Sequence, residues 1–208
     1  MAIFLGTDIR DVLTGTDERD QILTFGGDDE VYGLGGDDLI RLGDGTDAAS
    51  GGPGNDLIFG EAGNDKLRGD EGNDRIYGGE GSDGIIGGAG ADTLSGGSDS
   101  DVFIFAPGDS GTDAATRDLI SDFQAGPEKS PIDVMNLQGF RVLDVADGRL
   151  EFIGTAPFGG GDFKGGLQVR YDVEGNETIV RIGFNTGQLV AEIELHGRYD
   201  LHASDFLL

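Results

Sequence analysis

The sequence predicts an all-β protein: a parallel β-roll coiled from a short repeat and capped by a C-terminal β-sandwich. Three observations carry that expectation. From residue 6 a nine-residue unit recurs without insertion or deletion. Its sixth position is always Asp and its eighth always apolar. Beyond residue 105 the glycine density falls and alternating apolar runs of strand length take over. The roll is expected over residues 1–104 and the sandwich over 105–208, with no Pro/Ser-rich linker between them.

Units begin at residues 6, 15, 24, 33, 42, 51, 60, 69, 78, 87 and 96. The sixth-position aspartates are Asp11, Asp20, Asp29, Asp38, Asp47, Asp56, Asp65, Asp74, Asp83, Asp92 and Asp101. The eighth-position residues run from Leu13 and Ile22 to Leu94 and Phe103. The fourth position is glycine in eight units, at Gly27, Gly36, Gly45, Gly54, Gly63, Gly72, Gly81 and Gly90; Ile9, Glu18 and Asp99 are the exceptions. Nine residues fit neither a helical heptad nor a hairpin. A triplet with one inward aliphatic is a minimal strand, and the six residues before it turn the chain through half a circle. Two units then close one coil, with strands stacking at about 4.8 Å. Glycine is required where such tight turns need positive φ or close backbone approach.

Charge decides what this coil can hold. The chain carries 40 acidic against 14 basic residues, a net charge of −26, of which −17 lies before residue 105. That balance excludes nucleic acid and anionic membrane surfaces as partners, because both are gripped by Lys and Arg. It also leaves the chain close to disorder unless a cation neutralises it. Stacking places Asp11, Asp29, Asp47, Asp65, Asp83 and Asp101 on one edge of the coil. Asp20, Asp38, Asp56, Asp74 and Asp92 fall on the other. Turned carbonyls and carboxylates in the gaps make an oxygen-only site, which suits Ca²⁺ with its flexible shell of 6–8 oxygens. The gaps between neighbouring loops number at most nine. The first loop on each edge lacks the fourth-position glycine, so about six to eight ions are expected at saturation.

The unit follows the pattern G-G-x-G-x-D-x-U-x and so resembles the RTX calcium-binding repeat. The stretch from Gly96 to Phe123 resembles the junction after the repeats in serralysin-type metalloproteases and in the calcium-binding modules of secreted mannuronan epimerases. The matching residues are Asp109-Ser110, Asp118 and Asp122-Phe123; Ser130-Pro131 departs from that pattern where a lysine is usual. Asp118 is accordingly a candidate for an additional calcium site, with a turn or cap as its alternative role. The ending Asp205-Phe206-Leu207-Leu208 resembles the uncleaved signal of proteins exported by type I ABC transporters, and also reads as a last strand. The resemblance implies a secreted, non-catalytic module that folds on calcium outside the cell. Weak extracellular-type sites of about 10⁻⁴–10⁻³ M stay empty at cytosolic calcium. The epimerase resemblance implies a second reading, binding of an extracellular polysaccharide, with Tyr171, Phe184 and Tyr199 as aromatic candidates.

The second half is expected to form strands over 118–123, 131–137, 149–154, 166–173, 177–184 and 189–197, with a hairpin turn at 174–176 and a mobile loop at 157–166. The chain has no cysteine, no HExxH and no GxSxG, and His196 and His202 are spaced too far apart for a zinc pair on one helix face. No apolar run approaches a membrane helix, and "MAIFLGTDIRD" lacks the basic start of a signal peptide.

Overall fold

The computed structural model describes residues 1–125, 133–137, 150–154, 167–184 and 189–207. The expected loop at 157–166 and the Ser130-Pro131 pair lie outside them.

The repeats coil as expected. The first four strands are triplets: β1 (Ile3–Leu5), β2 (Val12–Thr14), β3 (Gln21–Leu23) and β4 (Glu30–Tyr32). Seven six-residue strands follow: β5 (Leu39–Asp44), β6 (Ala48–Pro53), β7 (Leu57–Ala62), β8 (Lys66–Glu71), β9 (Arg75–Glu80), β10 (Gly84–Ala89) and β11 (Thr93–Ser98). The triplet β12 (Val102–Ile104) closes the series. Odd and even strands separate onto two faces, each strand pairing in parallel with the strand two units on, as in Leu57↔Arg75 and Ile58↔Ile76. One coil is therefore two units, 18 residues.

The eighth-position side chains point between the two sheets and form the core. Ile22, Ile40, Ile58, Ile76 and Leu94 line one sheet and Val31, Leu67, Ile85 and Phe103 the other, all essentially buried. Each such ladder rung contributes about 1.5–3 kcal/mol by leaving water. The mid-stack strands are longer than triplets because pairing skips the first position of the next unit and resumes at its second and third, as in Glu61↔Gly79 and Ala62↔Glu80. The second position takes positive φ. Glycine supplies it in several units, whereas Phe25 (φ 75), Leu34 (φ 76), Glu61 (φ 76) and Asp70 (φ 80) are forced into it, at a cost of about 1–2 kcal/mol each.

Past the repeats both sheets continue. β13 (Asp118–Ile120) pairs in parallel with β11, and β14 (Val134–Asn136) with β12. Beyond them come β15 (Leu150–Gly154), β16 (Leu167–Glu174), β17 (Glu177–Phe184), β18 (Leu189–Leu195) and β19 (Phe206–Leu207). The finished sheets have 11 strands, in the order β1-β3-β5-β7-β9-β11-β13-β18-β17-β16-β15, and 8 strands, β19-β14-β12-β10-β8-β6-β4-β2. The expected hairpin between β16 and β17 is present, with Glu174 opposite Glu177. Where a capping sandwich was expected, the described strands extend the roll's own two sheets. Ile120, Met135 and Phe206 prolong the two inward ladders. Phe103, Phe123 and Tyr199 pack ring against ring at the junction, at 6.1 Å between successive centroids. The described residues hold no α-helix, only a 3₁₀ turn at Ala203–Asp205.

Candidate metal centre

The sixth-position aspartates form two columns, one in each row of turns. In each column an Asp N–H donates to the Oδ1 of the Asp 18 residues ahead. Asp11 N donates to Asp29 and Asp20 N to Asp38, both at 2.7 Å. Asp47 N donates to Asp65 at 2.9 Å and Asp65 N to Asp83 at 2.8 Å. The columns do not stop with the repeats. Asp92 N donates to Asp118 Oδ1 at 2.9 Å, and Asp101 N to Asp133 Oδ1 at 3.1 Å. Asp118 thus continues the column of Asp20 to Asp92. Asp133 was missed, although "DVM" keeps the Asp-x-apolar phase of the repeat just as "DLI" does at Asp118.

The second oxygen of each carboxylate is the chemically open one. The Oδ2 atoms of Asp29, Asp38, Asp47, Asp56, Asp65, Asp74, Asp83, Asp92, Asp101 and Asp118 are buried and accept no hydrogen bond. These side chains are at most 3% exposed. Leaving one such oxygen unpartnered costs about 1–3 kcal/mol, and more when it is charged. Burial accordingly pushes the carboxyls up. Asp56, Asp65, Asp74 and Asp101 rise to about 7 and Asp118 to about 8, each aided by a neighbouring carboxylate of its column. Asp38, Asp83 and Asp92 rise to about 6, again chiefly by burial.

Two expected residues, Asp11 and Asp20, and the missed Asp133 sit differently. Asp11 Oδ2 accepts from the N–H and hydroxyl of Thr7, at 2.6 and 2.9 Å. Asp20 Oδ2 accepts from the N–H and hydroxyl of Thr16, at 2.8 and 2.7 Å. The N–H of Ala2, with help from Thr16, holds the Asp20 carboxyl below its ordinary range. Asp133 Oδ2 accepts from Gln124 N at 2.8 Å. The Oδ2 of each of these carboxylates is engaged by the protein itself, so the Asp11–Asp133 column is closed at both ends and the Asp20–Asp118 column at its first position only.

The glycines shape the openings. All eight fourth-position glycines have positive φ, from 105° at Gly36 to 157° at Gly45. A Cβ on Gly63 would stand 1.4 Å from the Gly45 carbonyl oxygen, so only glycine lets successive loops approach there. First-position glycines leave the cradle itself. A Cβ on Gly69 would lie 2.1 Å from Asp74 Oδ2 and 2.5 Å from the Gly87 carbonyl oxygen; at Gly78 the values are 2.2 Å to Asp83 Oδ2 and 2.5 Å to Gly96 O. An unpartnered carboxylate oxygen and a main-chain carbonyl thus converge on a space with no side chain in it. Among the described residues no three His, Asp or Glu side chains gather at one point. A cation held here takes its remaining oxygens from the main chain. Oxygen-only, flexible, mixed carboxylate and carbonyl coordination fits Ca²⁺ and does not fit Zn²⁺ or the strict octahedron of Mg²⁺.

A parallel β-roll with stacked, oxygen-lined loops is the class of protein that this geometry defines. The sequence model of the RTX calcium-binding nonapeptide repeat matches residues 5–40, 41–76, 50–85, 68–103 and 77–111, together just over half of the chain. The chain belongs to that family, whose repeats bind calcium. No curated protein matches it significantly. Among solved structures it is similar to the AlgE6R2 subunit of the Azotobacter vinelandii mannuronan C5-epimerase, with 22% identity over 86% of this chain and 91% of that one and a TM-score of 0.46. The AlgE6R3 subunit of the same epimerase aligns with 24% identity over 97% of this chain and 80% of that one, TM-score 0.31. The extracellular lipase LipA from Serratia marcescens aligns with 14% identity over 99% of this chain and 40% of that one, TM-score 0.24.

Proposed function

We propose that this chain is a secreted, non-catalytic calcium module that folds as its loops fill with about six to eight ions outside the cell. The observation that carries this reading is the set of ten buried, unpartnered Oδ2 atoms in two columns. With strands about 4.8 Å apart, successive charges in a column repel, and several such repulsions exceed the 5–15 kcal/mol that a domain has in hand. The proposed ligands are the sixth-position aspartates, with Asp118 added and Asp11 and Asp20 contributing least, and the carbonyls of the glycine-lined loops. Titrating calcium into chelated protein should raise the β signal in circular dichroism cooperatively and shrink the hydrodynamic radius, with magnesium unable to substitute. Full β signal in the chelated protein would sink this reading.

Export by a type I system is the proposed role of the last four residues. Asp205 is fully buried and accepts from His202 N at 2.7 Å, and Phe206 pairs with Met135, so the segment also ends a sheet. Leu208 lies outside the described residues. Deletion would confound folding with export. The sharper test fuses residues 105–208 behind an unrelated slow-folding passenger in a host carrying such a transporter. Passenger retained inside, while a known substrate leaves the same cells, defeats the assignment.

A second reading, polysaccharide binding, is favoured by one observation away from the expected aromatics. Tyr171 is buried with its hydroxyl on Asp200, and Tyr199 packs edge-on against Phe123; the side chain of Phe184 lies outside the described residues. Phe59 and Tyr77, however, stack at 5.1 Å on the outer face of the roll, with Arg41 5.8 Å from the Phe59 ring centre. A half-exposed aromatic pair beside a cation is a surface on which sugar rings stack. Calcium-dependent retention on a polysaccharide resin that Tyr77→Ala abolishes would support this reading; identical retention of the variant would remove it.

A further inference from the structure

The first position of the repeat is glycine in nine of the eleven units, and the two departures, Thr24 and Leu42, are consecutive on one edge of the roll. At the glycine units the place a Cβ would take lies 2.1–3.1 Å from the Oδ2 of the same unit's Asp. Thr24 and Leu42 own a real Cβ, and no oxygen can lie that close to it. In these two layers, those of Asp29 and Asp47, the carboxylate cannot aim its second oxygen into the cradle it uses elsewhere. Both side chains are fully buried, and Leu42 belongs to the hydrophobic core. The Thr24 hydroxyl donates to the Leu42 carbonyl. That carbonyl is the counterpart of Gly87 O and Gly96 O, which face the open cradles of Gly69 and Gly78. A methyl-bearing hydroxyl and an isobutyl group therefore stand where the other loops keep an oxygen-lined hole.

Building on the calcium reading above, we infer that Thr24 and Leu42 plug two successive calcium positions, so that the layers of Asp29 and Asp47 stay empty at concentrations that fill the rest. The edge running from Asp20 to Asp118 has glycine at every first position: Gly15, Gly33, Gly51, Gly69 and Gly87. The edge running from Asp11 to Asp133 begins with Gly6, where Thr7 already occupies Asp11 Oδ2, and opens only from Gly60 onward. Calcium then staples one edge along nearly its whole length and the other only in its C-terminal half. In the plugged segment, apolar burial of Leu42 and the Thr24 hydroxyl bond take over the work of the ion, and each layer bears one unpartnered carboxylate oxygen as the cost.

The test counts ions. Bound calcium is measured by equilibrium dialysis and atomic absorption on the full chain, for wild type, Thr24→Gly, Leu42→Gly, the double variant and Leu42→Ala. Each glycine variant should gain one ion, and the double variant about two per chain, as each reopened cradle regains its oxygen shell. Leu42→Ala loses most of the same core contact but keeps Cβ, and should gain none. Should Leu42→Gly not fold, Thr24→Gly alone carries the test. Ion counts unchanged in the folded glycine variants, or an equal gain in Leu42→Ala, overturn the plug. No calcium uptake by wild type would instead overturn the calcium reading itself, and the two failures are distinct.

Discussion

Asp56 in the repeats and Glu192 on β18 are both buried carboxylates, 2% and 5% exposed, and they are neutralised in opposite ways. Asp56 spends one oxygen on the main-chain N–H of Asp38 and has no partner for the other. Glu192 receives Arg181 Nε at 2.6 Å and Arg117 Nη1 at 3.2 Å, and Arg117 also reaches Glu194 at 2.5 Å. Arg181 extends the same network to Asp172 and Glu174. The C-terminal strands thus carry their own counter-charges on the chain, whereas the repeats leave theirs to be supplied from solution. On the calcium reading, one region's stability is fixed by its sequence and the other's is set by its surroundings. Covalently attached cations cannot be withdrawn, and dissolved ones can.

The widest gap between the regions should open with pH when calcium is absent. In the folded repeats Asp38 stands at about 6 and Asp56, Asp65 and Asp74 at about 7, above an ordinary unfolded Asp near 4. The folded state binds these protons more tightly, so the stability they confer is complete below about pH 4 and disappears as pH rises through about 6 to 7. Chelated protein should therefore gain β signal when acidified from about pH 8 to about pH 5, and calcium-loaded protein should change little. A chelated repeat that loses structure on mild acidification would break the comparison. Next in size is Arg181→Met, which removes one of the cations facing Glu192. Breaking a buried pair in this way should cost about 3–5 kcal/mol. The loss, read as a lower melting temperature of the calcium-loaded protein, should not be recovered by adding more calcium. Recovery by calcium would mean that the two regions share one source of stability.

Within the repeats a finer contrast separates open from closed positions. Asp65→Ala removes an unpartnered Oδ2 between complete loops, and Asp11→Ala a carboxylate whose Oδ2 Thr7 already occupies. In a stack where each unit touches only its neighbours, Asp65→Ala should raise the calcium midpoint several-fold and Asp11→Ala by less than half as much in logarithmic terms. Equal shifts, measured by titration in circular dichroism, would erase the distinction. The smallest effect tests the backbone alone. Leu34 sits at φ 76 and is 44% exposed, so Leu34→Gly should stabilise the loaded protein by about 1 kcal/mol. A loss of stability would show that the Leu34 side chain contributes more than the strain it bears.

Much of this was readable in the residues. The phase of Asp and of the inward aliphatic fixed which residues form the columns and which form the core, because a coil closed by two units sends every sixth and eighth position to the same place. Asp118 was found through the resemblance of the junction after the repeats; Asp133 keeps the same Asp-x-apolar pattern, but in a stretch read only as a strand. What sequence could not give was the partner of each carboxylate oxygen. The two-unit coil already set Asp56 between Asp38 and Asp74, but not that its Oδ1 takes the Asp38 N–H while its Oδ2 takes none. The strand lengthening at the second and third positions was hidden for a related reason: positive φ at Glu61 and Asp70 is imposed by the neighbouring coils against the residues' own preference. The extra strands of the larger sheet were found as segments, but their order was not, since alternation shows that a segment is extended and not beside what.

The Asp-to-Asp bonds all point one way. Each repeat Asp offers an N–H to the next carboxylate of its column, 18 places later within the repeats, and the final offers, from Asp92 and Asp101, are taken up by Asp118 and Asp133 beyond them. The array is therefore a queue in which each member is held by the one behind it, and the last two holders stand outside the repeats. A chain growing from its N-terminus lays down coils that must wait for their successors. The final lock arrives only with residues that no repeat count would include.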